Sequence, residues 1–157
     1  MDKQYAKYMT LGKQVRTITE GYVYKLIEDM DPNKDTVNVI NMDNWERYRL
    51  LKAWSENQVG VTDEQRKEMT GYVETVSIDS VVPYNKVRFI TPDYKPLFEV
   101  NDLDDVLING EPHKVAYIDE THFTFVGESM ALYGGCLHID QFAEICARNG
   151  HAVAVVA

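Results

Sequence analysis

The chain has 157 residues, 45% apolar and 26% charged, with nine glycines and five prolines, which suits one compact domain or two very small ones and excludes disordered and fibrous classes. No run approaches the roughly 18–20 uncharged apolar residues of a membrane helix, and the Met1-Asp2-Lys3-Gln4-Tyr5 start lacks the apolar core of a secretion signal, so the expectation is a cytoplasmic chain that engages no membrane. Sixteen basic against 25 acidic side chains give a net charge of −9, the wrong sign for direct binding to nucleic acid, and two cysteines, Cys136 and Cys146, cannot build a disulfide framework.

In chain order, Tyr8, Leu11, Val15, Ile18 and Tyr22 step at helical spacing, although Gly12, Gly21 and several β-favouring residues interrupt; a helix is expected at the start and a strand from about Tyr22. Asp31-Pro32-Asn33-Lys34-Asp35 reads as a turn, and the alternation from Thr36 to Met42 completes a hairpin. Asp43 is the expected N-cap of a helix carrying Trp45, Tyr48, Leu50, Leu51 and Trp54, ending between Asn57 and Gly60. Thr62-Asp63-Glu64-Gln65 fits a capping box opening a short helix closed by Gly71. Short β runs follow at Tyr72 to Ile78, Lys86 to Thr91, Leu97 to Val100, Val106 to Ile108, Lys114 to Ile118 and Phe123 to Val126, with Asn109-Gly110 marking a type I′ hairpin turn. Gly134-Gly135 forms a joint before Cys136 to Ile139; Asp140 caps a helix to Asn149 with Phe142, Ile145 and Cys146 on one stripe; and Ala152 to Ala157 reads as a last strand.

Charge is uneven along the chain. Residues 1–50 hold eight acidic and eight basic side chains, residues 51–100 eight and six, and residues 101–157 nine and two. Glu99, Asp102, Asp104, Asp105, Glu111, Asp119, Glu120 and Glu128 are opposed only by Lys114 between positions 99 and 128. If they share a face they form a phosphate-like surface suited to a basic groove on another protein, with salt-dependent association; otherwise they are a solubilising rim. The one basic cluster interleaved with aromatics, Arg47, Arg49 and Lys52, reads first as the wet side of an amphipathic helix and second as a nucleic-acid contact.

Candidate chemistry is sparse. His122, Cys136, His138 and Cys146 are ligand types that zinc prefers, but no paired C-x-x-C or H-x-x-x-H knuckle is present, so no metal and no cofactor are expected. Cys136 with His122 or His138 as base would make a small cysteine/histidine enzyme, yet Asp140 opposes a thiolate there. Asp104-Asp105 and Asp119-Glu120 are adjacent acids that point in different directions, which is no evidence of a dyad. No residue is therefore assigned a catalytic role. The polar groups of Asp119-Glu120-Thr121-His122, lying between two expected strands, fix a turn.

Arg88-Phe89-Ile90-Thr91, Tyr94-Lys95, Leu97-Phe98, Tyr117 to His122, Val126-Gly127, His138-Ile139, Phe142-Ala143-Glu144 and Arg148-Asn149-Gly150 together resemble a small uncharacterised domain. It recurs among short accessory proteins of conjugative and integrative mobile elements of gut bacteria. The resemblance covers about residues 86–150. That domain tends to carry cysteine where Asp140 stands and glutamate where Gln141 stands, so no shared thiol function is implied, and no established activity is carried over. What it implies is context, namely a protein helping a mobile element persist, where small acidic proteins are often anti-CRISPR or antirestriction inhibitors.

The expected fold class is α+β: a curled antiparallel sheet or small barrel closed by a C-terminal helix, preceded by a helix-containing N-terminal portion. Residues 1–80 and 81–157 are the two portions, with one continuous domain as the alternative. The expected function is a non-catalytic inhibitor that binds a host defence protein handling nucleic acid, through the eight carboxylates named above. An accessory role with an element-encoded partner is the first alternative, and the small enzyme the second.

Overall fold

The computed structural model describes residues 1–57, 59–90, 96–108, 110–148 and 155–156. The chain divides into two units, Met1–Tyr84 and Asn85–Ala157. The expected boundary was 80/81; Val81–Pro83 pairs with a strand of the first unit.

The Asp2 carboxylate accepts the Gln4 N–H at 3.1 Å and caps a 3-10 helix, Lys3–Tyr8. The helical spacing that begins there does not continue. Gly12, at φ 92°, breaks the chain, and β1 (Gln14–Thr17) alternates with Val15 and Thr17 buried. Leu11, Ile18 and Tyr22, three members of the supposed seam, are exposed. A spacing of three and four residues also selects alternate sites of two strands around a turn, and the β-branched residues decide between them.

β1 pairs with β2 (Val23–Leu26), where a helix was expected, and β2 pairs with β3 (Thr36–Asn41), which is the expected hairpin. Asn41 rather than Asp43 caps α1 (Met42–Glu56), its side chain accepting the Asp43 N–H at 2.9 Å. Tyr48 and Leu51 bury their side chains while Leu50 stays exposed. α2 (Asp63–Gly71) has the full capping box: Thr62 Oγ1 accepts the Gln65 N–H at 3.1 Å, and Gln65 Oε1 accepts the Thr62 N–H at 2.9 Å. The chain then returns to β3 as β4 (Val73–Ser77), turns through the 3-10 segment Ile78–Ser80 and ends as β5 (Val81–Pro83). The sheet order is β4-β3-β2-β1-β5, antiparallel throughout.

The second unit opens with the hairpin of β6 (Lys86–Ile90) and β7 (Pro96–Asn101). Its main sheet has the order β11-β10-β9-β8-β12, from β8 (Asp105–Ile108), β9 (Glu111–Asp119), β10 (His122–Phe125), β11 (Leu137–His138) and β12 (Val155–Val156). Both five-stranded sheets have two edges, so neither is a closed barrel among the described residues. Gly110 has the positive φ, 76°, that a tight β8–β9 turn needs; Asn109 lies outside the described residues. α3 (Glu128–Tyr133) was not expected, and α4 (Ile139–Arg148) begins before Asp140. Val100, Val106, Ile108, Val115, Phe123, Phe125 and Phe142 form the core of this unit, with Ile145 packed against it. Phe142 and Ile145 thus anchor α4 on the sheet; the Cys146 side chain and most of the 152–157 run lie outside the described residues.

Candidate functional site

Of the eight carboxylates proposed from the sequence, the seven whose side chains are described do not converge on one face. Asp102 is only 1% exposed, its carboxylate accepting the Tyr117 N–H at 2.8 Å and an Asn85 side-chain N–H at 3.3 Å. Asp104 is half-buried and accepts the Asn101 N–H at 2.9 Å; burial raises its carboxyl above the ordinary value, against the lowering effect of that bond. Asp105 faces Lys114 Nζ at 3.3 Å, and the same ammonium donates to Leu103 O at 2.9 Å. These three acids build the bend between β7 and β8, in which Leu103 holds φ 62°. The Glu99 side chain lies outside the described residues.

The exposed acids fall into two groups. Glu111 starts β9 and Asp119 ends it, about 26 Å away at the usual rise per strand residue. Glu128 belongs with Glu111, because Ser129 Oγ lies 2.9 Å from His113 Nδ1 and ties the start of α3 to that end of β9. Asp119 and Glu120 lie at the other end.

That second end is where the fold gathers chemistry. Asp119 pairs with His122 across the Glu120-Thr121 turn, and Asp119 Oδ1 accepts the Thr121 N–H (2.9 Å), the Thr121 hydroxyl (2.9 Å) and His122 Nδ1–H (3.0 Å). The polar turn expected here is therefore present. The Thr121 carbonyl accepts the Ile139 N–H at 2.8 Å, which draws the start of α4 to this turn. His122 stands directly opposite His138 in the β10–β11 pairing, with ring centroids 5.4 Å apart and planes at 89°. His138 Nδ1 accepts the Asp140 N–H at 3.2 Å, with Asp140 Oδ2 3.5 Å away. Two imidazoles and the carboxylates of Asp119, Glu120 and Asp140 thus share one end of the sheet. Sequence reasoning named Glu120 and Asp119 but not Asp140 as part of this surface; only the strand pairing shows that it belongs.

The other sequence candidates have surroundings of their own. Cys136 is exposed at φ 53°, while the Nδ1 atoms of both neighbouring histidines are engaged elsewhere. Among the described residues no group of three or more His, Cys, Asp and Glu side chains is placed to hold a metal ion. Arg47, offered as a nucleic-acid contact, makes a two-pronged bond to Glu68 at 2.7 and 3.2 Å that joins α1 to α2, which also raises its pKa. Arg49 pairs with Glu46 at 2.8 Å. No described helix is long and apolar enough to cross a membrane.

The Thr121 N–H, with help from His122 and the Thr121 hydroxyl, holds the Asp119 carboxyl down from 3.8 to about 2. A lowered carboxyl pKa stabilises the fold fully above its unfolded value, and this contribution is lost as pH falls from about 4 through about 2. Carboxyl-carbon NMR should show Asp119 titrating near that lower value, and Asp119→Asn should remove this part of the acid dependence. A midpoint at the ordinary aspartate value would show that the turn bonds do not persist in solution.

No protein-family model, no curated protein and no solved structure matches this chain.

Proposed function

We propose that the chain is a non-catalytic protein-binding inhibitor encoded by a mobile genetic element, acting in the cytoplasm on a host defence complex that handles nucleic acid. The docking surface in this reading is narrower than the eight carboxylates named from sequence: it is the end of the second sheet formed by Glu120 and Asp140 around the Asp119 turn. The observation that carries it is the gathering of these exposed acids by the β10–β11 pairing, in a unit with eleven acidic and only five basic residues. A local excess of one sign steers a complementary basic groove and favours it over neutral surfaces.

Curled sheets are the scaffold of this reading. In a flat first sheet β4 and β5 would stand about 19 Å apart, whereas the link from Ser77 to Val81 reaches only about 13 Å, which calls for a bend. In the second unit the same curl would wrap β8 to β10 around Phe142, with α4 as the closing element.

The test is affinity capture from host lysate at low and high salt, with charge reversals at each end of the sheet. Glu120→Lys with Asp140→Lys should weaken retention of a basic nucleic-acid-handling partner by about tenfold or more, since steering terms reach that size. Glu111→Lys with Glu128→Lys should leave it nearly unchanged. Equal retention by all variants, or retention indifferent to salt, rejects acidic docking at this end.

A further inference from the structure

The His122–His138 pair has an arrangement that electrostatic docking does not require. The two residues are direct cross-strand partners, so their Cβ atoms stand about 4.5–5.5 Å apart on one face of the sheet. Both side chains are reachable from solvent, at 35% and 43% exposure. Each Nδ1 already has a neighbour: Asp119 Oδ1 and Thr121 Oγ1 for His122, at 3.0 and 2.8 Å, and the Asp140 N–H for His138. Neither Nε2 has a hydrogen-bond partner among the described residues. A carboxylate can only accept, so Asp119 selects the His122 tautomer with the proton on Nδ1 and a lone pair on Nε2. That is the carboxylate–histidine arrangement which orients imidazole ligands in metal centres.

We propose that His122 and His138 form a two-histidine chelate for one borderline divalent transition-metal ion, of the zinc class, bound through the two Nε2 atoms. Imidazole nitrogens sit about 2.0–2.1 Å from such an ion, a reach that opposed cross-strand histidines can share once one ring turns from its edge-to-face contact. Water fills the remaining positions, since the described residues supply no third ligand. On binding, the His138 proton moves from Nε2 to Nδ1, the Asp140 N–H bond to Nδ1 is given up, and the Asp140 carboxylate, 3.5 Å away and 89% exposed before binding, turns in to accept the new Nδ1–H hydrogen bond. Asp119 is then the positioning residue for His122, and Asp140 for His138. This inference goes beyond the docking proposal: the two share Asp140, but the metal test reads the imidazole nitrogens of His122 and His138, which docking of a basic partner does not require.

The experiment is titration of the full chain with zinc chloride near neutral pH, followed by calorimetry and by NMR of the imidazole nitrogens. One zinc ion per chain should shift the Nε2 resonances of His122 and His138 and of no other histidine. His122→Gln and His138→Gln should each weaken binding at least tenfold. Asp119→Asn, which keeps both ligands, should weaken it about tenfold, the usual cost of losing a ligand's orienting partner. The wild-type spectra do not depend on whether any variant folds. Unshifted Nε2 resonances, or affinity lost in Cys136→Ser and kept in both histidine variants, would overturn the chelate.

Discussion

Asp102→Ala is expected to lower the stability of the second unit by about 3 kcal/mol, because it removes one side of a buried charged hydrogen-bond network. Asp102 is 1% exposed, and its own N–H donates to Asn85 O at 2.9 Å. Its carboxylate accepts from the Tyr117 N–H and the Asn85 side chain, and Asn85 N–H in turn donates to Asn101 Oδ1 at 2.8 Å. Truncation removes the Asp102 carboxylate from the Tyr117 N–H of β9 and frees the bend that holds Leu103 at a positive φ. Asp102→Asn keeps one acceptor oxygen and should cost less, about 1–2 kcal/mol. Glu111→Ala, at an exposed site, should change stability by no more than about 0.5 kcal/mol. Urea denaturation followed at the β8–β9 signals compares the three; equal stability of Asp102→Ala and Glu111→Ala would show that the network holds nothing. Reversing Asp102 to lysine would therefore report on folding, which is why the docking test uses Glu120 and Asp140 instead.

The same residue shows where sequence reading stops. In the string Asn101-Asp102-Leu103-Asp104-Asp105 nothing distinguishes a buried aspartate from an exposed one, since the difference arises from a left-handed Leu103 that no local propensity demands. By contrast, Thr62 to Gln65 was legible because a capping box closes its bonds within four residues. The β3 alternation and the Phe142–Ile145 stripe were legible because burial follows the period of the element. β5 and α3 were missed for their brevity: three and six residues carry too little periodic signal.

For the candidate site the division is similar. The Asp119 turn could be read, as Asp followed two residues later by Thr is local turn chemistry. The pairing of His122 with His138 could not, because β11 has only two residues and an intervening helix separates it from β10 in sequence. Charge counting also misled in one direction: it records the sign of a segment but not that a nine-residue strand carries Glu111 and Asp119 to opposite ends.

Phe142→Ala should have the largest effect of any single change in the second unit, a loss of about 3–5 kcal/mol. Phe142 is fully buried, with its ring 5.8 Å from that of Phe123 and 5.4 Å from that of Phe125. It lies on the first turn of α4, two residues after Asp140 and four after His138, so the stack fixes not only the helix but the approach of its start to the Thr121 turn. Phe142→Leu keeps most of the buried volume and should cost less than half as much. Hydrogen exchange offers the local readout: in Phe142→Ala the Ile139 amide, which donates to Thr121 O, should lose protection together with the amides of α4, whereas in Phe142→Leu it should stay slow. If the alanine variant unfolds at the same denaturant concentration as the leucine variant, or if the Ile139 amide keeps its protection, the aromatic stack does not hold the helix. The geometry of the histidine end must then come from the β10–β11 pairing alone.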